Sequence, residues 1–215
     1  ASARVDGFRA RVLLDLYYLN DRSQQLEGDF QLRLPGEASP YFFAFGETVF
    51  DAKEALAGGR LVPLISDAPD EGFDPQEILD RRAATWTAVK EARMVPREKA
   101  AFAYRETVRQ VVDPALLEWW GAGGFSARVF PLAAGRRHRI TIGYDMDLIR
   151  AGPDLELRLD LPQDVPGRVV DVSAADLPGA PIEVSPNAEA RRSAGRARWL
   201  FEKFEGPALN VRLRN

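Results

Sequence analysis

The chain is divided into many short segments in which apolar and polar residues alternate, and proline or glycine closes nearly all of them. Phe125, Ala127 and Val129, for example, alternate with Ser126 and Arg128. Because successive side chains of a strand point to opposite faces, this period of two predicts strands with one buried face. Similar patterns predict further strands at residues 8–18, 28–35, 41–45, 61–65, 138–144, 155–161, 169–172, 182–184, 197–201 and 209–213.

The number and spacing of these segments constrain the fold class. Many short strands separated by turn residues predict a β-sandwich or barrel rather than alternating strand–helix units. Ala133-Ala134-Gly135, between the strands predicted at 125–131 and 138–144, predicts a β-hairpin. We therefore expect a mainly β protein built as an antiparallel β-sandwich.

Two segments carry helical patterns instead. Apolar residues recur at spacings of three and four after Pro96, which predicts one well-formed helix at about 97–111. A shorter helix is predicted at about 75–84, with Asp74 as its N-cap, Pro75 at its first position and Glu77 completing a capping box. We expect both helices to pack against the sandwich.

Composition excludes several classes of function. The 29 basic and 32 acidic residues give a formal net charge of −3, whereas proteins that hold nucleic acid through its phosphates usually carry a basic excess. Cysteine is absent, which excludes disulfides, thiolate catalysis and cysteine-rich zinc sites. The sequence has no apolar run of about 18 residues, so no membrane segment is predicted.

Few side chains suggest catalysis or metal binding. His138, the only histidine, lies among arginines, and we interpret it as a surface or structural residue. Asp145 and Asp147 are interpreted as a solvated strand end, with a divalent-cation site as the alternative. An acidic loop carries the carboxylates of Asp67, Asp70, Glu71 and Asp74. Asp74 is interpreted as the helix cap, with a calcium site in the loop as the alternative.

Other charged and serine-containing motifs also favour structural interpretations. No Gly-x-Ser-x-Gly motif and no glycine-rich phosphate loop is present, so no catalytic residue and no cofactor are predicted. Two arginine-rich groups are expected to be solvated: residues 136–139, and the set Arg191, Arg192, Arg196 and Arg198.

Tryptophan residues offer the best candidate for a binding surface. Trp119 and Trp120 are adjacent, and Trp86 and Trp199 add two further rings. Adjacent residues of a strand point in different directions, so at least one ring of the pair is expected to be partly exposed. We interpret the tryptophans as core residues, with Trp119, Trp120 and Trp86 as a candidate partner or ligand surface as the alternative.

Several sequence elements occur in an order that resembles the VIT domain, the module named after vault proteins and inter-alpha-trypsin-inhibitor heavy chains. The resemblance covers residues 8–148, with 47–86 where the family has a short connection, and residues 150–215 lie beyond it. The matching elements are Leu34-Pro35-Gly36-Glu37-Ala38, Val89-Lys90-Glu91, Glu98-Lys99-Ala100 with Tyr104, Ala115-Leu116-Leu117-Glu118, Phe125, Val129 to Pro131 and Tyr144 to Leu148.

The resemblance implies a domain organisation and a context. Residues 1–150 are expected to form a VIT-like β-sandwich domain with 47–86 as an insertion, and 151–215 are expected to complete it with further strands. VIT domains often precede von Willebrand A domains, which bind metal through an Asp-x-Ser-x-Ser motif. Asp171-Val172-Ser173-Ala174-Ala175 lacks the second serine and is interpreted as a strand end followed by a turn.

We therefore expect a non-enzymatic module that has a structural or protein-interaction role in a larger extracytoplasmic protein of the bacterial envelope. Its partner would be another protein or a neighbouring domain, such as a von Willebrand A-type domain. The chain opens at Ala1 without Met or a signal-like apolar region, so we expect an excised domain. Two alternatives stay open: a carbohydrate-binding module that uses tryptophan, and a hydrolase that uses two carboxylates.

Overall fold

The computed structural model of the protein describes residues 1–35, 38–49, 72–91, 93–94, 116–119, 124–165 and 167–214, with 93–94 and 116–119 described by their backbone. This part of the chain is mainly β, as the alternation predicts. Its one helix, α1, spans Pro75–Arg82 and corresponds to the shorter predicted helix. The longer helix predicted at 97–111 and the strand predicted at 61–65 lie outside the described residues.

The strands follow one another with short connections wherever the chain is described. In chain order they are β1 Ser2–Asp6, β2 Arg9–Leu19, β3 Leu26–Arg33, β4 Ser39–Thr48, β5 Trp86–Glu91, β6 Arg93–Met94, β7 Leu116–Trp119, β8 Gly124–Leu132, β9 Arg137–Asp147, β10 Ile149–Ala151, β11 Asp154–Asp160, β12 Val170–Ala175, β13 Ile182–Ser185, β14 Arg191–Ser193, β15 Arg196–Phe201 and β16 Ala208–Leu213.

Contacts within the chain divide it into two compact units. The described part of the first unit is residues 1–13, 72–81 and 145–214, and the second unit contains the rest. Each unit is therefore assembled from separate stretches of sequence. The predicted division at residue 150 rests on the family resemblance and stays a prediction.

The first unit contains strands of two sheets. One has the order β14-β15-β12-β1-β2, and the other has the order β10-β11-β16-β13. Strand β1 pairs in parallel with β12 and antiparallel with β2, so the first strand of the chain is central. Its inward side chains Ala3 and Val5 are 1% exposed, and Leu157 and Leu209 of the other sheet are fully buried.

The second unit also contains strands of two sheets, in the orders β2-β9-β4-β5 and β3-β8-β7-β6. The rings of Phe30 on β3 and Phe43 on β4 lie 6.4 Å apart between their centroids, so the two sheets share a core. Strand β9 is buried along both faces, because Thr141 is as inaccessible to solvent as its neighbours Ile140 and Ile142.

Two local predictions are wrong. Strands β8 and β9 do not form a hairpin, since β8 pairs with β3 and β7 whereas β9 lies in the other sheet. Phe8 does not begin a strand; it follows Gly7, whose φ of 58° makes the tight turn between β1 and β2, and it is 62% exposed. Val89-Lys90-Glu91, one of the elements that carry the family resemblance, belongs to strand β5, which pairs with β4.

The start of α1 follows the predicted chemistry with one difference. Asp74 accepts a hydrogen bond from the backbone N–H of Gln76 through Oδ1 (3.0 Å), as an N-cap should. The Glu77 carboxylate accepts from the N–H of Gly72 (2.8 Å), two residues before the cap, and not from the cap residue as a capping box requires. Asp74 is therefore a structural residue of the helix terminus.

Candidate functional site

A cleft of about 760 Å³ opens in the first unit, and all of its lining residues belong to that unit. One wall is strand β13 with the segment Asn187–Ala190 that follows it, and Arg192 of β14 lies beyond that segment. Trp199 of β15 and Asn210 of β16 also line the cleft. This volume is in the range of ligand-binding pockets.

Strand β13 borders the cleft with an unpaired backbone edge, because it ends its sheet among the described strands and pairs with β16 alone. The N–H of Arg214 donates to the C=O of Pro181 (2.9 Å). This bond identifies Pro181 and Arg214 as a hydrogen-bonded pair and so determines which residues of the two strands bond to each other. Bonded pairs alternate in antiparallel strands, so Ile182 and Val184 turn their N–H and C=O groups away from β16.

Strand β14 presents a second edge at the same cleft. It pairs with β15 through a two-residue turn at Ala194 and Gly195, and it is the last strand of its sheet in the described chain. Residues that flank such a turn form a hydrogen-bonded pair. Arg192 is one position beyond this pair. Its backbone N–H and C=O therefore point away from β15.

The floor of the cleft combines apolar and hydrogen-bonding groups. Val184 and Trp199 are 8% and 3% exposed, so they offer the edges of packed side chains and not open faces. Asn210 is the register partner of Ser185, so its side chain lies on the opposite face of this sheet from Val184; its Oδ1 is buried and receives no hydrogen bond from any described residue.

Charges at the cleft are mostly paired with one another. Arg212 bonds to Glu156 (3.2 Å), both of which line the cleft, and Arg192 contacts Asp176 (3.1 Å). Glu183 is paired with Arg214 at 2.9 Å. Glu189 is exposed and has no ion pair within the described ranges.

A different set of polar groups is buried in the second unit. The guanidinium of Arg82 binds both carboxylate oxygens of Asp15, with Nε 3.1 Å from Oδ1. The hydroxyl of Thr141 donates to the same Oδ1 at 2.8 Å, and Nε of Arg139 lies 3.9 Å from it. Arg139 is completely buried, and Arg82 is 5% exposed.

This arrangement controls the ionisation of its members. Burial alone raises the pKa of Asp15, but the charges of Arg82 and Arg139 and the hydrogen bonds of Arg82 and Thr141 outweigh it and lower the pKa to about 2. Burial, followed by the Asp15 charge, raises the pKa of Tyr17, although Arg139 acts in the opposite direction. The carboxylate therefore stays ionised and the phenol stays neutral at neutral pH.

Aromatic rings enclose the second cation of this cluster. The guanidinium carbon of Arg139 lies 5.0 Å from the centroid of the Tyr17 ring and 5.4 Å from that of Trp86, and its Nε donates to the Tyr17 hydroxyl (3.0 Å). Its two terminal nitrogens are buried without a hydrogen-bond partner among the described residues. Because Asp15 is shared by both arginines and all three side chains are buried, we interpret the cluster as a structural element of the core.

The structure locates one of the three tryptophans in the candidate surface. Trp86 is 3% exposed and packs on Arg139, so it belongs to the core and does not contribute to a surface. The side chain of Trp119 and all of Trp120 lie outside what the structure describes, so their part of the prediction stays open. The carbohydrate-binding alternative depends on them, because Trp199 at the cleft does not expose its ring face.

His138 is structural and not at the surface. It is 1% exposed, and Nε2 is 3.4 Å from the backbone oxygen of Ala133, where Nε2–H is the donor. Asp145 accepts two hydrogen bonds from Arg11 (2.7 and 2.9 Å), and Asp147 accepts one from Arg9 (3.2 Å). Both carboxylates of the predicted strand end are therefore ion-paired.

Three arginines that were expected to be solvated are packed inside. Besides Arg139, Arg196 is 6% exposed and donates to Asp6 (2.6 Å), and Arg198 binds both oxygens of Asp171 (2.7 and 2.8 Å). Asp171 lies in strand β12, consistent with a structural interpretation of this motif. The acidic loop residues Asp67, Asp70 and Glu71 are outside the described residues.

Among the described residues, no three side chains of His, Asp or Glu are grouped so as to hold a metal ion. None of the helical structure there is long and apolar enough to cross a bilayer.

Comparison with known proteins adds no family. No protein-family model matches the chain, and no curated protein has a significantly similar sequence.

Proposed function

We propose that the chain is a non-catalytic protein-interaction module, which binds an extended segment of a partner protein at the cleft of the first unit. The observation that carries the proposal is the presence of two strand edges, β13 and β14, at one opening. An exposed edge is a template for another strand, and main-chain hydrogen bonds supply affinity in this mode of recognition.

The backbone of β13 provides the docking groups. Ile182 and Val184 each direct one N–H and one C=O outward, so two residues offer four hydrogen-bonding groups to an added strand. Alternate side chains of that strand would then point to the face of the sheet that carries Val184, and the others to the opposite face, which carries Ser185 and Asn210.

The wider context follows from the resemblance to VIT domains. We propose that each unit is a β-sandwich, supported by the ring contact between sheets in the second unit and by the cleft that residues of both sheets line in the first. We also propose that the chain is a VIT-like module of an extracytoplasmic bacterial envelope protein, where a neighbouring domain or another protein supplies the partner segment.

The experiment uses a displayed library of random peptides selected on the folded chain. Proline at position 182 removes the outward N–H and leaves the bonds to β16 intact, since that N–H is not part of the ladder. Ile182→Pro should weaken the binding of selected peptides at least tenfold, whereas Ile182→Val, which keeps the N–H, should not. Thermal melts of both variants show whether folding is preserved.

Amide exchange gives a direct readout at the edge. In the free chain the amides of Ile182 and Val184 exchange readily, and a bound strand should protect them while leaving the amides of α1 unchanged. Selection of no peptide, or peptides that bind without protecting these two amides, would refute the proposal.

A further inference from the structure

We propose that two copies of this chain associate through strand β3, which pairs antiparallel with β3 of the second copy about a twofold axis at Phe30. This contact lies in the second unit and is separate from the cleft of the first. Strand β3 ends its sheet among the described strands and pairs with β8 alone, so its other edge presents N–H and C=O groups to a further strand. A strand edge that pairs with itself brings the same surface of two copies together, as a twofold dimer requires.

The length of β3 distinguishes it from the other terminal strands. It spans Leu26–Arg33, eight residues, whereas the other strands that end a described sheet have two to six. Proteins often protect a sheet edge by keeping its strand short or by pointing charged side chains inward. Exposed and half-buried residues alternate along β3, and its charged side chains lie on the exposed face. Neither form of protection is present on β3, so its edge is open to pairing.

The ion pairs of β3 leave opposite charges at its two ends. Glu27 and Asp29 share one cation, because Nε of Arg128 lies 3.0 Å from Glu27 Oε1 and 3.4 Å from Asp29 Oδ1. Arg33 at the other end is exposed and has no ion pair with any described residue. The strand therefore has an excess negative charge in its first half and a positive charge at its end. In an antiparallel pair of identical strands these two regions face each other.

Backbone hydrogen bonding restricts the register of this pairing. Residues whose N–H and C=O groups point outward alternate along a strand, so they face one another only when a residue lies on the twofold axis. With Phe30 on the axis, Glu27 of each copy faces Arg33 of the other, and the two half-buried Phe30 side chains form a cross-strand pair. With Asp29 on the axis, two carboxylates would oppose each other. With Gln31 on the axis, Glu27 would lie beyond the end of the partner strand.

Sedimentation velocity at a series of protein concentrations tests the contact. A pairing confined to one strand is a small interface, so we expect a weak, reversible dimer. Arg33→Glu and Glu27→Arg each place like charges opposite each other and should raise the dissociation constant about tenfold. Arg150→Glu changes the charge of an exposed side chain in the first unit and should leave the dissociation constant unchanged.

A mixture of the two single variants separates a direct contact from a folding defect. The Glu27→Arg chain has a positive charge at both positions and the Arg33→Glu chain has a negative charge at both, so a mixed dimer regains two pairs of opposite charge. We expect the equimolar mixture to associate as tightly as the parent chain, whereas each variant alone associates weakly. Amide exchange at increasing concentration should show protection of alternate amides in Leu26–Arg33.

Three results would overturn the inference. The first is a parent chain that stays monomeric at the highest soluble concentration, and the second is a mixture that associates no better than either variant. The third is a dimer in which the amides of β3 gain no protection, because the contact would then lie elsewhere. None of them bears on binding at the cleft, which Ile182→Pro tests separately.

Discussion

Asp15 is shared by two buried arginines, and its ionisation connects the stability of the second unit to pH. Its pKa in the folded chain is about 2, against an ordinary value of 3.8. A group whose pKa is lowered by folding stabilises the fold above its ordinary pKa, and this contribution is lost as the pH falls through the folded value. We expect Asp15 to contribute about 2 kcal/mol above pH 4, which disappears between pH 4 and pH 2.

Chemical denaturation at a series of pH values measures this loss. Thr141→Val removes a hydrogen bond that lowers the pKa of Asp15 in the folded chain, so in that variant the loss should be smaller and should be complete at a higher pH. Asp21→Asn is the control, because that side chain is 78% exposed and lies outside the cluster. An NMR titration in which the Asp15 carboxyl group titrates at its ordinary pKa would contradict the prediction.

The two arginines of the cluster should differ in their contribution to stability. Arg82 forms a two-pronged ion pair with Asp15, so Arg82→Met leaves a buried carboxylate without its main partner and should cost about 3–5 kcal/mol. Arg139 has two buried nitrogens without a described hydrogen-bond partner, so Arg139→Met exchanges an under-satisfied cation for an apolar side chain. We expect this change to cost less than about 2 kcal/mol.

Urea unfolding of both single variants tests the ranking. The double variant should lose more than the sum of the two, because Asp15 then has no cation nearby. An Arg139→Met variant that is destabilised as much as Arg82→Met would show that the stacking of Arg139 on Tyr17 and Trp86 is the dominant interaction.

Residue patterns predict such a cluster poorly. The alternation correctly places Arg139 and Thr141 on one face of β9 and Ile140 and Ile142 on the other. It wrongly predicts that the face with Arg139 and Thr141 is exposed to solvent. The face is buried because β9 lies between β2 and β4 and is covered on both sides, a consequence of pairing between distant segments. The sequence pattern alone does not distinguish a solvent-exposed polar face of a strand from a buried face on which charges are paired.

At the scale of elements, a helix terminus was more predictable than strand pairing. The N-cap predicted at Asp74 is correct. The hairpin between β8 and β9 was wrong because a short connection between two strands does not specify whether they share a sheet. Strands β1, β10 and β14 were missed because three to five residues hold too few alternations.

The turn between β14 and β15 offers a test at this scale. Ala194 has φ of 49° and Gly195 has φ of 72°, so both residues adopt the left-handed conformation. Alanine pays a steric cost there, of about 1 kcal/mol, that asparagine and glycine largely avoid. Ala194→Asn should therefore raise the free energy of unfolding by about 0.5–1 kcal/mol, as measured by urea denaturation.

The matched change is Gly195→Ala in the same turn. A Cβ at Gly195 would have no heavy atom within 4 Å, so any destabilisation reports backbone strain alone. We expect a loss of about 1 kcal/mol. Equal stability of both variants and the parent chain would mean that the turn does not hold the left-handed conformation.

At the scale of the molecule, the sequence did not reveal that the first strand pairs with a segment near residue 170. Strand β1 pairs in parallel with β12, so Ala3 lies opposite Val172 and Val5 lies opposite Ala174. Such a pairing joins residues about 170 positions apart, and neither segment carries a local signal for it. The cleft escaped prediction for the same reason, since its walls come from strands that only the fold brings together.

This pairing predicts the behaviour of a fragment that contains only residues 1–150, the part that resembles a VIT domain. The fragment lacks β12, so Ala3 and Val5, which are 1% exposed in the whole chain, lose the strand that flanks them. We expect the amides of residues 2–6 to lose exchange protection and the fragment to bind an apolar dye, while amides of β8 in the second unit retain at least part of their protection. The full chain, residues 1–215, is the control. A fragment that protects residues 2–6 as well as the full chain does would show that β1 is held without β12, and the family-like part would then be an independent domain.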